Sequence, residues 1–200
     1  MTTFDDRAAE WDTPERAERA RAIAALILET ARPDPDARVL ELGAGTGLLG
    51  LAILPYVGSV VLADASGGML DVAEAKIGTG AHPGASTLRH VLTEDPLPEA
   101  RFDLVVSLMA LHHVLDTSAA LAGLAALLDQ GGRIAIVDLD AEDGSFHSDP
   151  GEPVLHGFER EALGAATEAA GFRDVAFRPA WELPKDDRVY PLFLLTATRT

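Results

Sequence analysis

Three groups of residues in this 200-residue chain have types and spacings that chemistry can use. The first lies in Arg38-Val-Leu-Glu-Leu-Gly-Ala-Gly-Thr-Gly-Leu-Leu-Gly50, where Gly43, Gly45 and Gly47 alternate with Ala44 and Thr46 after an apolar run. A turn without side chains lets a ligand approach the backbone. A helix beginning just after it, with Thr46 as its cap, would offer unpaired N–H groups and a partial positive charge to an anionic ligand group. The second is Asp64, which closes the apolar run Val60-Val-Leu-Ala63. A carboxylate there can accept hydrogen bonds from both hydroxyls of a ribose. The third is the pair His112-His113. A neutral imidazole can take a proton from a hydroxyl or a protonated amine, and His113 is the candidate base. Apolar strand, glycine turn, helix, second strand and terminal carboxylate together describe a nucleoside-cofactor site.

The spacing narrows the cofactor. A nicotinamide dinucleotide site wants a third glycine where this chain has Leu48, because the diphosphate passes close to the helix there. No Gly-Lys-Ser/Thr follows the turn, so a nucleoside triphosphate cradle lacks its lysine. A metal site built from the histidine pair with His147, Asp149 and His156 matches no ligand spacing, and none is expected. Hydrolase chemistry through a nucleophilic side chain has neither a Gly-x-Ser-x-Gly elbow nor a cysteine to use.

These residues need elements to hold them. Thr13 and Pro14 start a helix whose Ala17, Ala20, Ile23, Ala24, Ile27 and Leu28 repeat on one face. Strands are expected near Arg38–Leu42, Ser59–Ala63, Thr87–Leu92, Asp103–Ser107 and Arg133–Leu139, with helices between most of them, which implies a parallel sheet. Asp174–Leu183 and Val189–Arg199 read as a hairpin across Pro184-Lys-Asp-Asp187, so the last strand should run antiparallel. Pro191 belongs at the start of that strand or at a bulge, where no ladder hydrogen bond is lost. The stretch Ala141–Gly157, with Gly144, Pro150, Gly151 and Pro153, reads as a loop on the ligand side. The fold class is α/β, a three-layer sandwich around a seven-stranded, mostly parallel sheet. In such a sheet the ligand sits beyond the carboxyl ends of the strands. Gly43–Gly47, Asp64 and Ala65, Leu92–Asp95 and Ser107–His113 are then the residues that can reach it.

The formal net charge of −16 disfavours phosphate-rich partners, because affinity for nucleic acid comes largely from Lys and Arg displacing counterions. No apolar stretch is long enough to cross a membrane, and the acidic N-terminus does not read as a secretory signal. With no cysteines, disulfides and thiolate chemistry are excluded, and a cytoplasmic setting is the default expectation.

The segment Glu41–Gly47 resembles the first motif, Glu-x-Gly-x-Gly-x-Gly, of the class I S-adenosylmethionine-dependent methyltransferases. Phe4–Ile27 looks like the Trp-Asp-bearing N-terminal helix region of their bacterial small-molecule members, and Phe102–His113 like their fourth strand and the loop after it. His156–Glu161 through Ala170-Gly-Phe172, then Tyr190–Ala197, resemble the C-terminal helix and last strand. The resemblance implies one Rossmann-like domain over residues 1–200, with residues 1–32 as an N-terminal lid region and 38–200 as the core. It implies methyl transfer from S-adenosylmethionine to a small-molecule acceptor, with S-adenosylhomocysteine as product. The cofactor-binding set is then Glu41, Gly43, Ala44, Gly45, Gly47, Asp64, Ala65, Met69, Leu92 and Ser107, with Met69 against the adenine ring and Ser107 near the methionine moiety. Val91 stands where many relatives carry the acid that reads the adenine amino group. Trp11 and His112 are placed at the lid and acceptor pocket. The rival readings are an NAD(P)-dependent oxidoreductase on a similar sheet and a non-catalytic binding or assembly protein of the same fold.

Overall fold

The computed structural model describes residues 4–147 and 153–200. Seven strands form one sheet: β1 (Arg38–Leu42), β2 (Ser59–Asp64), β3 (Ala85–Arg89), β4 (Phe102–Leu108), β5 (Leu128–Leu139), β6 (Phe172–Lys185) and β7 (Arg188–Arg199), in the order β3-β2-β1-β4-β5-β7-β6. All pairings among β1 to β5 are parallel, while β7 runs antiparallel to both β5 and β6. The sequence expectation holds in strand number and in the reversal at the end. The strand order turns back between β1 and β4, so the carboxyl ends of these two strands border a crevice.

Alternation along the strands builds a core on each face. Val39, Val60, Leu62, Leu104, Val106, Ala135 and Val137 pack with Ile23 and Ile27 of α2 (Pro14–Ala31), Leu49 and Ile53 of α3 (Leu48–Ile53) and Ala73 of α4 (Gly67–Lys76). Leu40, Leu42, Val105, Ile134 and Ile136 pack on the other face with Leu121 and Leu124 of α5 (Thr117–Leu127) and Leu163 of α6 (Arg160–Ala169). Helix, sheet and helix make three layers. Thr13 caps α2 by accepting from the Arg16 amide at 3.3 Å, with Pro14 at the first helical position.

Three local expectations change. Thr46 does not cap α3: Gly47 takes the cap position in the left-handed region without a side-chain bond, and the Thr46 hydroxyl donates instead to Asp12. β3 ends at Arg89 rather than Leu92. The chain leaves the sheet at His90, and Leu92 turns into the core beside Gly123. Pro191 is the fourth residue of β7 and lies one position outside the β5–β7 register, which closes at Leu139↔Leu192. The missing N–H therefore falls beyond that ladder. Part of the expected 141–157 loop, residues 148–152 with Asp149, lies outside the described residues.

Candidate functional site: a glycine turn under an N-terminal cover

The apolar run of β1 ends in a turn where Gly43, Gly45 and Gly47 all have positive φ (66°, 53° and 81°), a region side chains rarely enter. The turn is also crowded: a Cβ on Gly43 would stand 2.2 Å from the Cβ of Ala110, and one on Gly47 2.7 Å from Leu62. The Ala44 amide donates to the Ala63 carbonyl at 3.0 Å, and the Gly47 amide returns to the Ala44 carbonyl at 2.8 Å. Asp64, at the end of β2, then fixes the apex. Its Oδ2 accepts from the Gly45 amide at 2.7 Å and its Oδ1 from the Ser66 amide at 2.8 Å. Asp64 is half-buried and Ala65 beside it is exposed, so both border the crevice.

Glu41 turns the other way. Its carboxyl is 2 % exposed, beneath α3, where Oε2 accepts from the Gly50 amide at 2.7 Å. Burial, reinforced by the negative charge of Asp64, pushes its pKa up to about 8 against the opposing effects of the Gly50 bond and of Lys76. Sequence reasoning placed Glu41 among the cofactor ligands; in the structure its partner is the helix that follows the turn. The buried hydroxyl of Ser107 donates to the Leu42 carbonyl at 3.0 Å and ties β4 to β1 where the glycine turn begins. The side chain of Leu92 is buried against α5. Met69 is buried in the first turn of α4, with its sulfur 3.9 Å from the position a Cβ on Gly45 would occupy.

The N-terminal segment lies over this turn. Trp11 places Nε1 3.6 Å from the same point above Gly45, its ring stacked under Arg16 at 4.1 Å. Asp12 accepts from Thr46 and pairs with Lys76 Nζ at 2.5 Å, and Lys76 also donates to the Thr46 carbonyl at 2.7 Å. Asp5, in α1 (Phe4–Arg7), accepts from the Ser66 hydroxyl and from the Gly68 amide at 2.9 Å at the start of α4. These bonds hold its carboxyl below the usual range. Sequence reasoning placed Trp11 at the lid and did not name Asp5 or Lys76, which carry no local signal.

On the β4 side of the crevice, Met109 adopts a left-handed backbone (φ 58°) and starts a short turn holding His112 and His113. His112 is 1 % exposed, and its Nδ1 lies 2.6 Å from Oδ1 of Asp138, a fully buried carboxylate on β5. Asp138 also accepts from the backbone amides of His112 (3.2 Å) and Leu139 (2.8 Å). His113 meets the Phe4 ring edge-on at 5.3 Å, and burial, assisted by His112 and His147, pushes its pKa down to about 3. Burial therefore favours the neutral imidazole. His147 joins the group, 5.1 Å from His112 and 5.5 Å from His113 between ring centroids. The His156 ring packs beside Gly144. Among the described residues, no three histidine or acidic side chains are arranged to hold a metal ion. Asp138 was missed by sequence reasoning, although a signal exists: it is a carboxylate inside the apolar run Ile134-Ala-Ile-Val-Asp-Leu139.

A seven-stranded sheet in this order, with a glycine turn and a carboxylate at adjacent strand ends, defines a class I S-adenosylmethionine-dependent methyltransferase fold. Residues 16–176 match the family model described as a methyltransferase domain, and the chain belongs to that family. The uncharacterized methyltransferase YcgJ of Bacillus subtilis is 32% identical over 133 residues, 66% of this chain and 49% of YcgJ. The chain spans about half the length of the curated relatives it matches first. The crystal structure of YcgJ superposes with a TM-score of 0.72 at 21% identity, covering 88% of this chain and 97% of that one. The magnesium protoporphyrin IX methyltransferase of Synechocystis, solved with bound S-adenosylhomocysteine, gives 0.70 at 20% identity, covering 92% and 84%. The [4+2]-cyclase SpnF gives 0.73 at 15% identity, covering 90% and 80%, so this fold also carries other chemistry.

Proposed function

We propose that the protein transfers a methyl group from S-adenosylmethionine to a small-molecule acceptor, with the cofactor bound across the crevice between β1 and β4. The observation that carries this reading is the junction of Asp64 with the glycine turn. A half-buried carboxylate fixed by two backbone amides stands beside three bare glycines, which suits a ribose over a close-approaching backbone. Met69 and Ala65 flank the place the adenine would take, and Gly43, Ala44, Gly45 and Gly47 line the path of the amino-acid portion.

The cofactor supplies an electrophilic methyl on a sulfonium, so the protein's task is alignment and the exclusion of water. Asp64 and the Gly45 amide set the orientation of the bound group. Trp11 and Phe4 close the crevice from above and remove solvent. His113 stays neutral and contributes an uncharged wall. The net charge of −16 favours acceptors other than polyanions, consistent with a small organic molecule. The family match and relatives named as methyltransferases support this reading over a nicotinamide-dependent one.

Two measurements test it. Calorimetry should show S-adenosylhomocysteine binding and no NADH binding. Incubation with methyl-labelled cofactor and fractionated cell extract should place label in the low-molecular-weight fraction. NADH binding without S-adenosylhomocysteine binding, or label confined to protein or nucleic acid, would overturn the reading.

A further inference from the structure

Three arginines gather at the N-terminal cover. Arg16, in the first turn of α2, donates from Nη1 to the Trp11 carbonyl at 2.8 Å, and its guanidinium lies 4.1 Å from the centre of the indole. Arg7 stands over the same indole at 5.8 Å and over the Phe4 ring at 4.7 Å. Arg19 follows Arg16 by three residues, which sets the two side chains next to each other on α2. Its Nε is buried and has no hydrogen-bond partner among the described residues. A buried donor left unpaired costs free energy that a bound acceptor atom would recover. Among the described residues, no ion pair includes Arg7, Arg16 or Arg19. Asp12, beside Trp11 in the chain, is taken by Lys76 and Thr46. Burial and the charge of Arg7 lower the pKa of Arg16 against the opposing pull of Asp12 and Glu15, and burial and Arg16 lower that of Arg19. Three like charges held together without a counter-charge make a local site for an anion, in a chain whose net charge is −16.

The cluster is reachable from solvent, since Arg7 is exposed and Arg16 and Arg19 are half-buried. It is also set off from the glycine turn. Within 4 Å of the point a Cβ on Gly45 would occupy stand Trp11 Nε1 and the Met69 sulfur, and no guanidinium. Its other neighbour is the β4 side of the crevice, where Phe4, under Arg7, meets His113 edge-on at 5.3 Å and the charge of Arg7 acts on that imidazole. We propose that Arg7, Arg16 and Arg19 bind a carboxylate of the methyl acceptor at the rim of the crevice, away from the atom that is methylated. This rests on the methyl-transfer reading above and names its acceptor as a small carboxylic acid. The planar guanidinium fork matches a carboxylate, and it stacks on aromatic rings as Arg7 and Arg16 do here. A single negative charge meets less repulsion from the net charge of −16 than the nearly doubled charge of a phosphate would.

The test uses the full chain, methyl-labelled cofactor and the low-molecular-weight fraction of cell extract. The labelled product of the wild type should keep a free carboxyl group, read by mass spectrometry before and after coupling to an amine with a carbodiimide. A labelled product without one overturns the proposal and leaves the methyl-transfer reading standing. Arg7→Gln and Arg19→Gln should each raise KM for the extract, followed on a dilution series, by about ten-fold, with kcat and S-adenosylhomocysteine affinity kept within about two-fold. Arg16 is left in place because it anchors Trp11. Arg19→Lys keeps the charge without the fork and should regain part of the loss. An unchanged KM in both glutamine variants overturns the proposal. So does a loss of S-adenosylhomocysteine affinity that 5′-methylthioadenosine, which lacks the amino-acid portion, does not share, because the carboxylate is then the cofactor's own. Failure of S-adenosylhomocysteine to bind the wild type, or label absent from this fraction, is the separate failure of the methyl-transfer reading, and this proposal goes with it. The product is analysed with the wild type, so that result decides even where a variant does not fold.

Discussion

The amide of Gly45 donates to Oδ2 of Asp64 over 2.7 Å, so the carboxylate that ends β2 holds the turn that ends β1. One side chain therefore shapes the backbone and faces the crevice. Asp64→Ala should lose both roles, weakening S-adenosylhomocysteine binding by about 1–3 kcal/mol, the range for a charge-assisted hydrogen bond. Asp64→Asn keeps an acceptor for Gly45 and should lose less. Equal affinity of wild type and Asp64→Ala in calorimetry would remove Asp64 from the site.

Gly43 tests the turn itself. Alanine there meets both a φ of 66° and the Ala110 Cβ at 2.2 Å. Gly43→Ala should cost about 2–4 kcal/mol in urea unfolding. Adding Ala110→Gly should relieve the contact and recover part of the loss, leaving the backbone penalty. A double variant no better than the single one would show that conformation alone sets the cost.

Glu41 should make stability depend on pH in an unusual direction. Its pKa is raised from 4.5 in the unfolded chain to about 8 in the folded one, so the folded state holds the proton more tightly between those values. Its protonated form is favourable at the acid end, and the contribution is lost as pH rises through about 8. Glu41→Gln keeps an oxygen for the Gly50 amide and cannot ionise. The melting temperature of the variant should therefore rise relative to wild type as pH increases from the acid to the alkaline side of that window. A pH-independent difference would refute the assignment.

Trp11 should report on the crevice. The chain has two tryptophans, and Trp11 is the one against Gly45, while Trp181 sits in β6. Adding S-adenosylhomocysteine should change the fluorescence of wild type and of Trp181→Phe, and leave that of Trp11→Phe nearly unchanged. The opposite pattern would place the ligand elsewhere.

The latch of Asp12 on Lys76 and Thr46 should matter to the cover more than to the fold. These side chains are partly exposed, so Lys76→Met should cost about 1–2 kcal/mol at most in unfolding. Its larger effect should be faster proteolysis of residues 4–12, read by limited digestion. Unchanged digestion would mean that Asp5 and Trp11 hold the segment without it.

The sequence by itself determined the number of strands, the reversal of the last one, the glycine turn and the acid that follows it. These features are written locally: alternation every second residue makes a strand, helical periodicity makes a helix, and glycine permits a positive φ. It also determined which edge of the sheet faces the ligand, because a parallel sheet puts its ligand at the carboxyl ends of its strands; the strand order then placed the crevice between β1 and β4. The direction of individual side chains was decided only by tertiary structure. Glu41 looked like a ligand because it belongs to the motif, yet its side chain alternates with Leu42 and points beneath α3 toward Gly50. Asp138 and His112 are 26 residues apart, Thr46 and Asp12 are 34 apart, and Asp5 and Ser66 are 61 apart. No periodicity links positions so distant. They meet because β5 lies beside β4 and because the N-terminal segment folds back across α4, and that same packing keeps His113 neutral while pairing His112 with a buried carboxylate.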